Sequence, residues 1–145
     1  MPTRTVDSTN RVLYPFKGRD VHSATRLFVY RNLHENQGKW SLFALDGPHA
    51  NFVVAHANHV VLDNVTWRVS LPGRQRAVMT RQRNVHAGVV GTLSDTEPVD
   101  VDWQRVSYNP FTSDHFYLSD LGPHHSVVTS SRWAMFDMLG KAWSA

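Results

Sequence analysis

The chain has 145 residues, of which 41% are hydrophobic and 19% charged, a composition typical of one folded domain and not of a disordered protein. It contains no cysteine, which excludes disulfides, cysteine nucleophiles, iron–sulfur clusters and cysteine-type zinc sites. The formal net charge of +3 is unevenly distributed along the sequence. Five arginines and no acidic residue lie between Asp63 and Asp95, whereas residues 95–120 hold six acids and a single base, Arg105.

Residues 1–25 are polar and without periodicity, and they are predicted to be a mostly irregular N-terminal arm before a single domain over residues 26–145. The first 18 residues contain no apolar run typical of a secretory signal. No stretch approaches the length of a membrane span. A soluble protein inside the cell, without a membrane partner, is therefore expected.

The first half of the domain is predicted to be strands. Residues 26–31 and 39–45 are rich in β-branched and aromatic side chains and are separated by turn residues, which predicts a β-hairpin with Trp40 on its apolar face. Residues 51–57 predict a third strand, which residues 59–62 continue or follow. Between residues 65 and 69 apolar and polar residues alternate strictly, so a half-buried strand is predicted with Trp67 facing the core and Arg68 facing outward.

A short helix is predicted in the centre of the chain. Ser70-Leu-Pro-Gly73 has a serine followed by an early proline, which is typical of a helix start. Residues 74–82 contain good helix formers and no breaker, so this basic helix is expected to pack through Ala77 and Val78. Residues 84–93 then return to strand composition.

The C-terminal part is predicted to hold short strands at residues 103–106 and 127–128, with an apolar stretch at residues 116–118 between them, followed by a helix over residues 132–139. Ser130 or Ser131 would cap this helix, and Gly140 would end it. The predicted fold class is therefore α+β, mainly an antiparallel sheet of five to seven strands with one short central basic helix and a C-terminal helix.

The candidate ligand-binding residues are the central arginines and their polar neighbours. Guanidinium groups at this density suit phosphate or carboxylate oxygens, which they can bind bidentately. On a helix, Arg76 and Arg83 would share one stripe with Thr80. Tyrosine can stack on a nucleic-acid base, and asparagine can read a base edge or cap a turn. The predicted ligand-binding set is Arg74, Arg76, Arg81, Arg83, Asn84, His86, Tyr108 and Asn109.

Other interpretations of these residues stay open. Twelve of the fifteen basic residues are arginine, a bias that a GC-rich genome also produces, and the acidic residues 95–120 could neutralise the basic segment across the fold. Trp40 and Trp67 are expected in the core, which leaves Tyr30, Tyr108 and Trp103 as the freer stacking candidates.

The nine histidines invite a metal hypothesis, but the sequence gives it little support. His56 and His59 are three residues apart, a spacing that on a strand points the two rings to opposite faces, and the adjacent His124 and His125 point their rings apart in any regular structure. The chain also lacks the motifs of the common hydrolases and nucleotide-binding enzymes. No metal, cofactor or catalytic residue is predicted, and a binding protein is favoured over an enzyme.

A set of short motifs in a fixed order is shared with a known family. The chain resembles a family of small uncharacterised proteins encoded by bacteriophages and prophages over residues 26–111. The resemblance implies a viral context, and with it the host cytoplasm as the location, but no mechanism. The motifs are Arg31-Asn-Leu-His34, Val54-Ala-His-Ala57, Gly73-Arg-Gln-Arg76, Arg83-Asn-Val-His-Ala87 and Tyr108-Asn-Pro-Phe111.

Three functions are compatible with these observations. The first is a phage-encoded, non-enzymatic protein that binds a phosphate-bearing ligand, either nucleic acid or a nucleotide, and thereby counteracts or sequesters a host factor. The second is a protein–protein module, such as a minor virion component or an inhibitor of a host enzyme, which could also form a homo-oligomer. The third is a small metal-dependent nuclease or phosphodiesterase, with a histidine as general base beside the arginines.

Overall fold

The computed structural model describes residues 5–6, 12–19, 21–22, 24–34 and 38–145. In this part of the chain eleven strands form one antiparallel sheet, and a single α-helix, α1 (Leu71–Thr80), lies outside it. The strands are β1 (Thr5–Val6), β2 (Val12–Pro15), β3 (Leu27–Arg31), β4 (Trp40–Ala44), β5 (Val53–Ala57), β6 (Val60–Val69), β7 (Ala87–Leu93), β8 (Gln104–Ser107), β9 (Tyr117–Leu118), β10 (Ser130–Phe136) and β11 (Ala142–Ser144).

The order of strands across the sheet is β1-β2-β5-β4-β3-β7-β6-β10-β11-β8-β9. The predicted hairpin is confirmed, because β3 and β4 pair in register from Leu27 opposite Ala44 to Arg31 opposite Trp40. The alternation predicted for residues 65–69 is confirmed as well, with Trp67 buried and Arg68 exposed. Helix α1 lies in the connection between β6 and β7, which are direct neighbours in the sheet.

The sheet is strongly curved. Strands β4 and β10 are separated in the sheet by three other strands, yet the rings of Trp40 and Phe136 lie 4.7 Å apart. Trp67 on β6 contacts the same phenylalanine, with ring centroids 6.0 Å apart. The indole Nε1 of Trp40 also donates to the Asp137 carbonyl at 2.8 Å. The two halves of the sheet therefore face each other across an aromatic core, and both tryptophans lie in that core as predicted.

The central helix begins and ends for local reasons. The Ser70 side chain accepts a hydrogen bond from the Gly73 amide and so caps the first turn, and Ala77 is the helix's buried apolar contact. The helix ends at Arg81, which has φ 58° and donates its amide to the Ala77 carbonyl. A short basic helix was predicted here and is present. The predicted stripe of Arg76, Thr80 and Arg83 is wrong, because the helix stops before Arg83.

The predicted sheet of five to seven strands with a second, C-terminal helix is wrong. Residues 130–136 form β10, which pairs with β6 on one side and β11 on the other. Gly140, with φ 79°, lies in the turn between β10 and β11 and does not end a helix. Serine caps and helix formers suggested a helix locally, but two pairing partners satisfy the backbone of this segment and bury Ala134 and Phe136.

The predicted N-terminal arm is described only in part, since residues 1–4, 7–11, 20 and 23 lie outside the described residues. Within the described part, β2 pairs with β5, and Leu13 is buried in the core. No helix in the described segments is long and apolar enough to cross a membrane.

Candidate ligand-binding site

A cavity of about 490 Å³ lies between the curved sheet and the segment that connects α1 to β7. We call the buried lining residues the base of the cavity and the exposed ones its mouth. The base includes the core residues Val29, Trp40, Val89 and Phe136. The exposed lining residues are Arg81, Gln82, Arg83, Val85, Arg105 and Phe111. The volume is in the range of small-molecule sites, which is about 300–1,000 Å³.

The charged side chains that line the cavity are all basic. They are Arg31, Arg81, Arg83, Arg105 and Lys141, and no aspartate or glutamate is among the lining residues. Cationic side chains beside low-dielectric walls focus a positive potential, which attracts anions. The arrangement is suited to a ligand that carries phosphate or carboxylate groups.

The arginines at the mouth are weakly engaged by the protein itself. Arg83 Nη2 donates to the Leu33 carbonyl at 3.4 Å, which is a long hydrogen bond. None of Arg81, Arg83, Arg105 and Lys141 forms an ion pair with a carboxylate of the described residues. Arg31 is held more firmly, because its Nη1 donates to the Gly140 carbonyl at 3.1 Å and its guanidinium lies 5.7 Å from the Trp40 ring centre.

A chain of three hydrogen bonds runs along one wall of the cavity. Asn84 Nδ2 donates to the Gly73 carbonyl at 3.0 Å, and Asn84 Oδ1 lies 2.6 Å from His86 Nδ1. His86 Nε2 then lies 2.7 Å from the Tyr108 hydroxyl. A carbonyl oxygen can only accept, so the Asn84 amide nitrogen must face Gly73 and its oxygen must face His86. In neutral His86 the proton is therefore on Nδ1, and Nε2 accepts the hydrogen of the Tyr108 hydroxyl.

Burial keeps both members of the His86–Tyr108 pair neutral near pH 7. Partial burial lowers the pKa of His86 below 6.5, and the charge of Arg74 lowers it further, whereas a hydrogen bond from the imidazole to the Asn84 backbone acts in the opposite direction. Burial raises the pKa of Tyr108 to about 12, although the charge of Arg74 acts in the opposite direction. The phenol of Tyr108 is thus protonated and the imidazole of His86 is not.

The start of α1 holds the segment that carries these residues. The Ser70 amide donates to the His86 carbonyl at 2.6 Å, so residue 86 lies against the first turn of the helix. A Cβ atom on Gly73 would lie 2.5 Å from the Cβ of His86, closer than real contacts allow. Only glycine at this position lets the helix and the returning segment pack together.

Two residues of the predicted set support the site without lining it. Arg74 Nε donates to the Ser113 carbonyl at 2.7 Å, which ties α1 to the turn after β8. In that turn Asn109 Oδ1 accepts from the Phe111 amide at 3.0 Å. Phe111 remains 59% exposed while it lines the cavity, so its ring is available at the mouth.

The structure brings five of the eight predicted ligand-binding residues to this cavity. Arg74, Arg76 and Asn109 are not among its lining residues, and Arg76 is exposed on α1. The predicted residues that line the cavity are Arg81, Arg83, Asn84, His86 and Tyr108. The basic and exposed aromatic lining residues that sequence reasoning missed are Arg31, Arg105, Phe111 and Lys141. Arg31 and Phe111 belong to the family motifs, whereas nothing in the sequence singles out Lys141.

The histidines do not converge on a metal site in the described residues, which contain no group of three or more His, Asp or Glu side chains able to hold an ion. His56 Nδ1 lies 3.1 Å from the Ser41 hydroxyl on the neighbouring strand. His59 Nε2 lies 3.1 Å from Glu97. The two histidines thus have separate partners.

Comparison with known proteins gives a family. The family described as Mycobacterium phage L5 gene 82 protein matches residues 20–139. The chain is also 37% identical over 95 residues to the Gene 82 protein of Mycobacterium phage L5, and the match covers 63% of this chain and 75% of that protein. No solved structure matches the chain. The chain therefore belongs to the family of the Mycobacterium phage L5 gene 82 protein, and the resemblance to small phage proteins is confirmed.

Proposed function

We propose that this phage protein binds a small phosphate-bearing ligand, a nucleotide or the end of a nucleic-acid chain, in the cavity between the sheet and the α1–β7 segment. One observation carries the proposal: five basic side chains and no acidic one line the cavity. Guanidinium groups bind phosphate oxygens through charge-assisted, often paired hydrogen bonds. Arg81 and Arg83 are two residues apart in the exposed segment after α1, and both line the cavity.

The aromatic lining supports a ligand that also carries a flat ring. Tyr108 and Phe116 contact each other with ring centroids 5.1 Å apart, and both line the cavity. Phe111 at the mouth offers an exposed ring face. Stacking of a base on an aromatic side chain contributes about 1–3 kcal/mol. A nucleotide combines both parts, because its phosphate suits the arginines and its base suits the rings.

The biological role that we propose is sequestration. The site supplies groups that hold a ligand, and no catalytic step is assigned to it. A phage protein of this kind would withdraw a host nucleotide, or cover a nucleic-acid end, and so counteract the host factor that depends on it.

The test is a calorimetric titration of the purified protein with nucleoside mono-, di- and triphosphates, inorganic phosphate and short single-stranded oligonucleotides. Arg83→Glu and Arg105→Glu should each weaken binding about tenfold to a hundredfold. A hydrogen bond to a charged group contributes about 1.5–3 kcal/mol, and a factor of ten in affinity corresponds to about 1.4 kcal/mol.

Arg76→Glu is the matched control. It makes the same change in net charge on an exposed side chain outside the cavity, so binding should stay within about threefold of wild type. The proposal fails if the wild-type protein binds none of these ligands. It also fails if Arg76→Glu weakens binding as much as Arg83→Glu, since attraction would then come from overall charge and not from the cavity.

A further inference from the structure

The phenolic oxygen of Tyr108 is the one polar atom of the His86–Tyr108 pair that is left for a ligand. Its hydrogen is donated to His86 Nε2 at 2.7 Å, and its lone pairs receive no hydrogen bond from the described residues. The residue lines the cavity beside the basic side chains. A hydroxyl oxygen whose hydrogen is already committed can act toward a ligand only as an acceptor.

The direction of the hydrogen bonds along this wall is set by the Asn84 amide, at the opposite end of the hydrogen-bond chain from Tyr108. If the Asn84 amide turned over, its oxygen would face the Gly73 carbonyl oxygen across the present 3.0 Å contact. Two acceptors would then oppose each other, and the Gly73 carbonyl would lose its donor from Asn84. Leaving partly buried polar groups unpaired is unfavourable, so the hydrogen bonds between Asn84 and Tyr108 keep the same donors and acceptors.

We propose that Tyr108 selects the ligand, favouring phosphate-bearing molecules that place an N–H or O–H donor against its phenolic oxygen. This inference rests on the proposed function and narrows its ligand class. Two parts of a nucleotide supply such a donor, namely the amino group of a base and a hydroxyl of the sugar. A ligand without the donor would bury the Tyr108 oxygen unpaired, which is how sites built on hydrogen bonds reject close analogues.

The experiment compares nucleotide pairs that differ by one donor. Adenosine monophosphate is paired with purine riboside monophosphate, and guanosine monophosphate with inosine monophosphate, to test the amino group. Each ribonucleotide is also compared with its 2′-deoxy form to test the sugar hydroxyl. For the wild-type protein at least one pair should differ in affinity by tenfold or more in favour of the donor, a comparison that needs no variant.

Tyr108→Phe keeps the ring that packs on Phe116 and removes only the hydroxyl, so the preference should fall below about threefold. Tyr117→Phe is the matched control. It removes a hydroxyl from a half-buried tyrosine on β9 that does not line the cavity. The preference should survive in that variant. Melting temperatures of the two variants should be compared with that of the wild type.

The outcomes separate this inference from the function on which it rests. Phosphate-dependent binding without any donor preference overturns the role of Tyr108 and leaves the proposed function standing. A donor preference that persists in Tyr108→Phe also overturns it. Absence of binding by every nucleotide overturns both.

Discussion

At the scale of single residues, the site depends on which atom holds a proton. His86 is neutral because burial lowers its pKa below 6.5, with Arg74 lowering it further and the bond to Asn84 acting against this. When His86 becomes protonated, both ring nitrogens donate. The Tyr108 oxygen would then accept from His86 Nε2, and its own hydrogen would be free for the ligand. Tyr108 would then present a hydrogen-bond donor to the ligand instead of an acceptor.

Lowering the pH should therefore erase the preference for ligands that carry a donor. The affinity ratio within each nucleotide pair is expected to be tenfold or more at pH 7.5 and to shrink toward one as the pH falls below 6.5. The ratio is the correct readout, because both members of a pair carry the same phosphate, whose second pKa of about 6 cancels. Calorimetry at several pH values measures it. A ratio that stays constant while the NMR signals of the His86 imidazole show that it has become protonated would contradict the assigned proton positions.

Protonation of His86 should also lower the stability of the fold. The folded-state pKa of His86 is lower than its unfolded value, so the stability gained by keeping it neutral is complete above pH 6.5. That stability is lost as the pH falls through the lower folded-state value. Binding at low pH should therefore be measured at a temperature below the melting temperature recorded at the same pH.

Residues adjacent in sequence were the predictable part of the site. Arg81, Arg83, Asn84 and His86 lie in one short segment, so their proximity follows from the sequence alone. The roles of Arg74 and Asn109 in holding the turn before Ser113 were not predictable, because the same side chains could equally bind a ligand. Only the packing of the helix on that turn distinguishes the two uses.

At the scale of elements, the turn between β10 and β11 adds Gly140 and Lys141 to the cavity lining, and Asp137 holds this turn together. Its carboxylate accepts from the amides of Leu139 and Lys141 and from the Trp143 indole, at 2.9–3.0 Å. Its carbonyl accepts from Trp40. Burial alone would raise the pKa of Asp137, but these hydrogen bonds and the charge of Lys141 outweigh it and lower the pKa below 3.8. The turn is thus fixed both internally and to β4.

Asp137→Asn should destabilise the fold by about 1–3 kcal/mol at pH 7, because the new amide nitrogen replaces an oxygen that accepts from one of these donors. The folded-state pKa is lowered, so the stability due to the carboxylate is present above pH 3.8 and is lost as the pH falls through the lower value. Urea unfolding at pH 7 and pH 3 should show the wild type approaching the variant at the lower pH.

Asp120→Asn is the control for this experiment. Asp120 is exposed, and it makes no hydrogen bond or ion pair within the described part of the chain. Its replacement should change stability little at either pH. An Asp137→Asn variant as stable as Asp120→Asn at pH 7 would show that the turn does not depend on the carboxylate.

Elements with a strong local sequence pattern were predictable, whereas a strand that depends on pairing with strands distant in sequence was not. The alternation around Trp67 and the cap at Ser70 each have one physical explanation, and the strand and helix they predicted are present. The segment 130–136 carries signals for both a helix and a strand. Its strand is fixed by β6 and β11, which lie far away in sequence, so the local pattern could not decide.

At the scale of the whole molecule, the fold keeps the acidic residues of segment 95–120 out of the cavity lining. Residues 95–120 contain six acids and Arg105, and they contribute Arg105, Tyr108 and Phe111 to the cavity but none of the acids. Glu97 pairs instead with His59, and Asp114 with His115. Neutralisation of the basic segment by this acidic segment was an open interpretation. The acids do not line the cavity, so its lining remains basic.

Binding in a single basic cavity and binding along an extended basic surface should differ in how the affinity depends on salt concentration and on ligand length. Each phosphate contact with a single strand gives a slope of about −0.7 in the logarithm of affinity against the logarithm of salt concentration. A ligand held by about two such contacts should therefore bind about tenfold more weakly, or less, when salt rises from 50 to 200 mM. Affinity should not increase along a series from mononucleotide to 20-nucleotide strand. A thousandfold loss over the same salt range, with affinity rising with length and falling in Arg76→Glu, would instead indicate a long strand bound on the outer surface of α1.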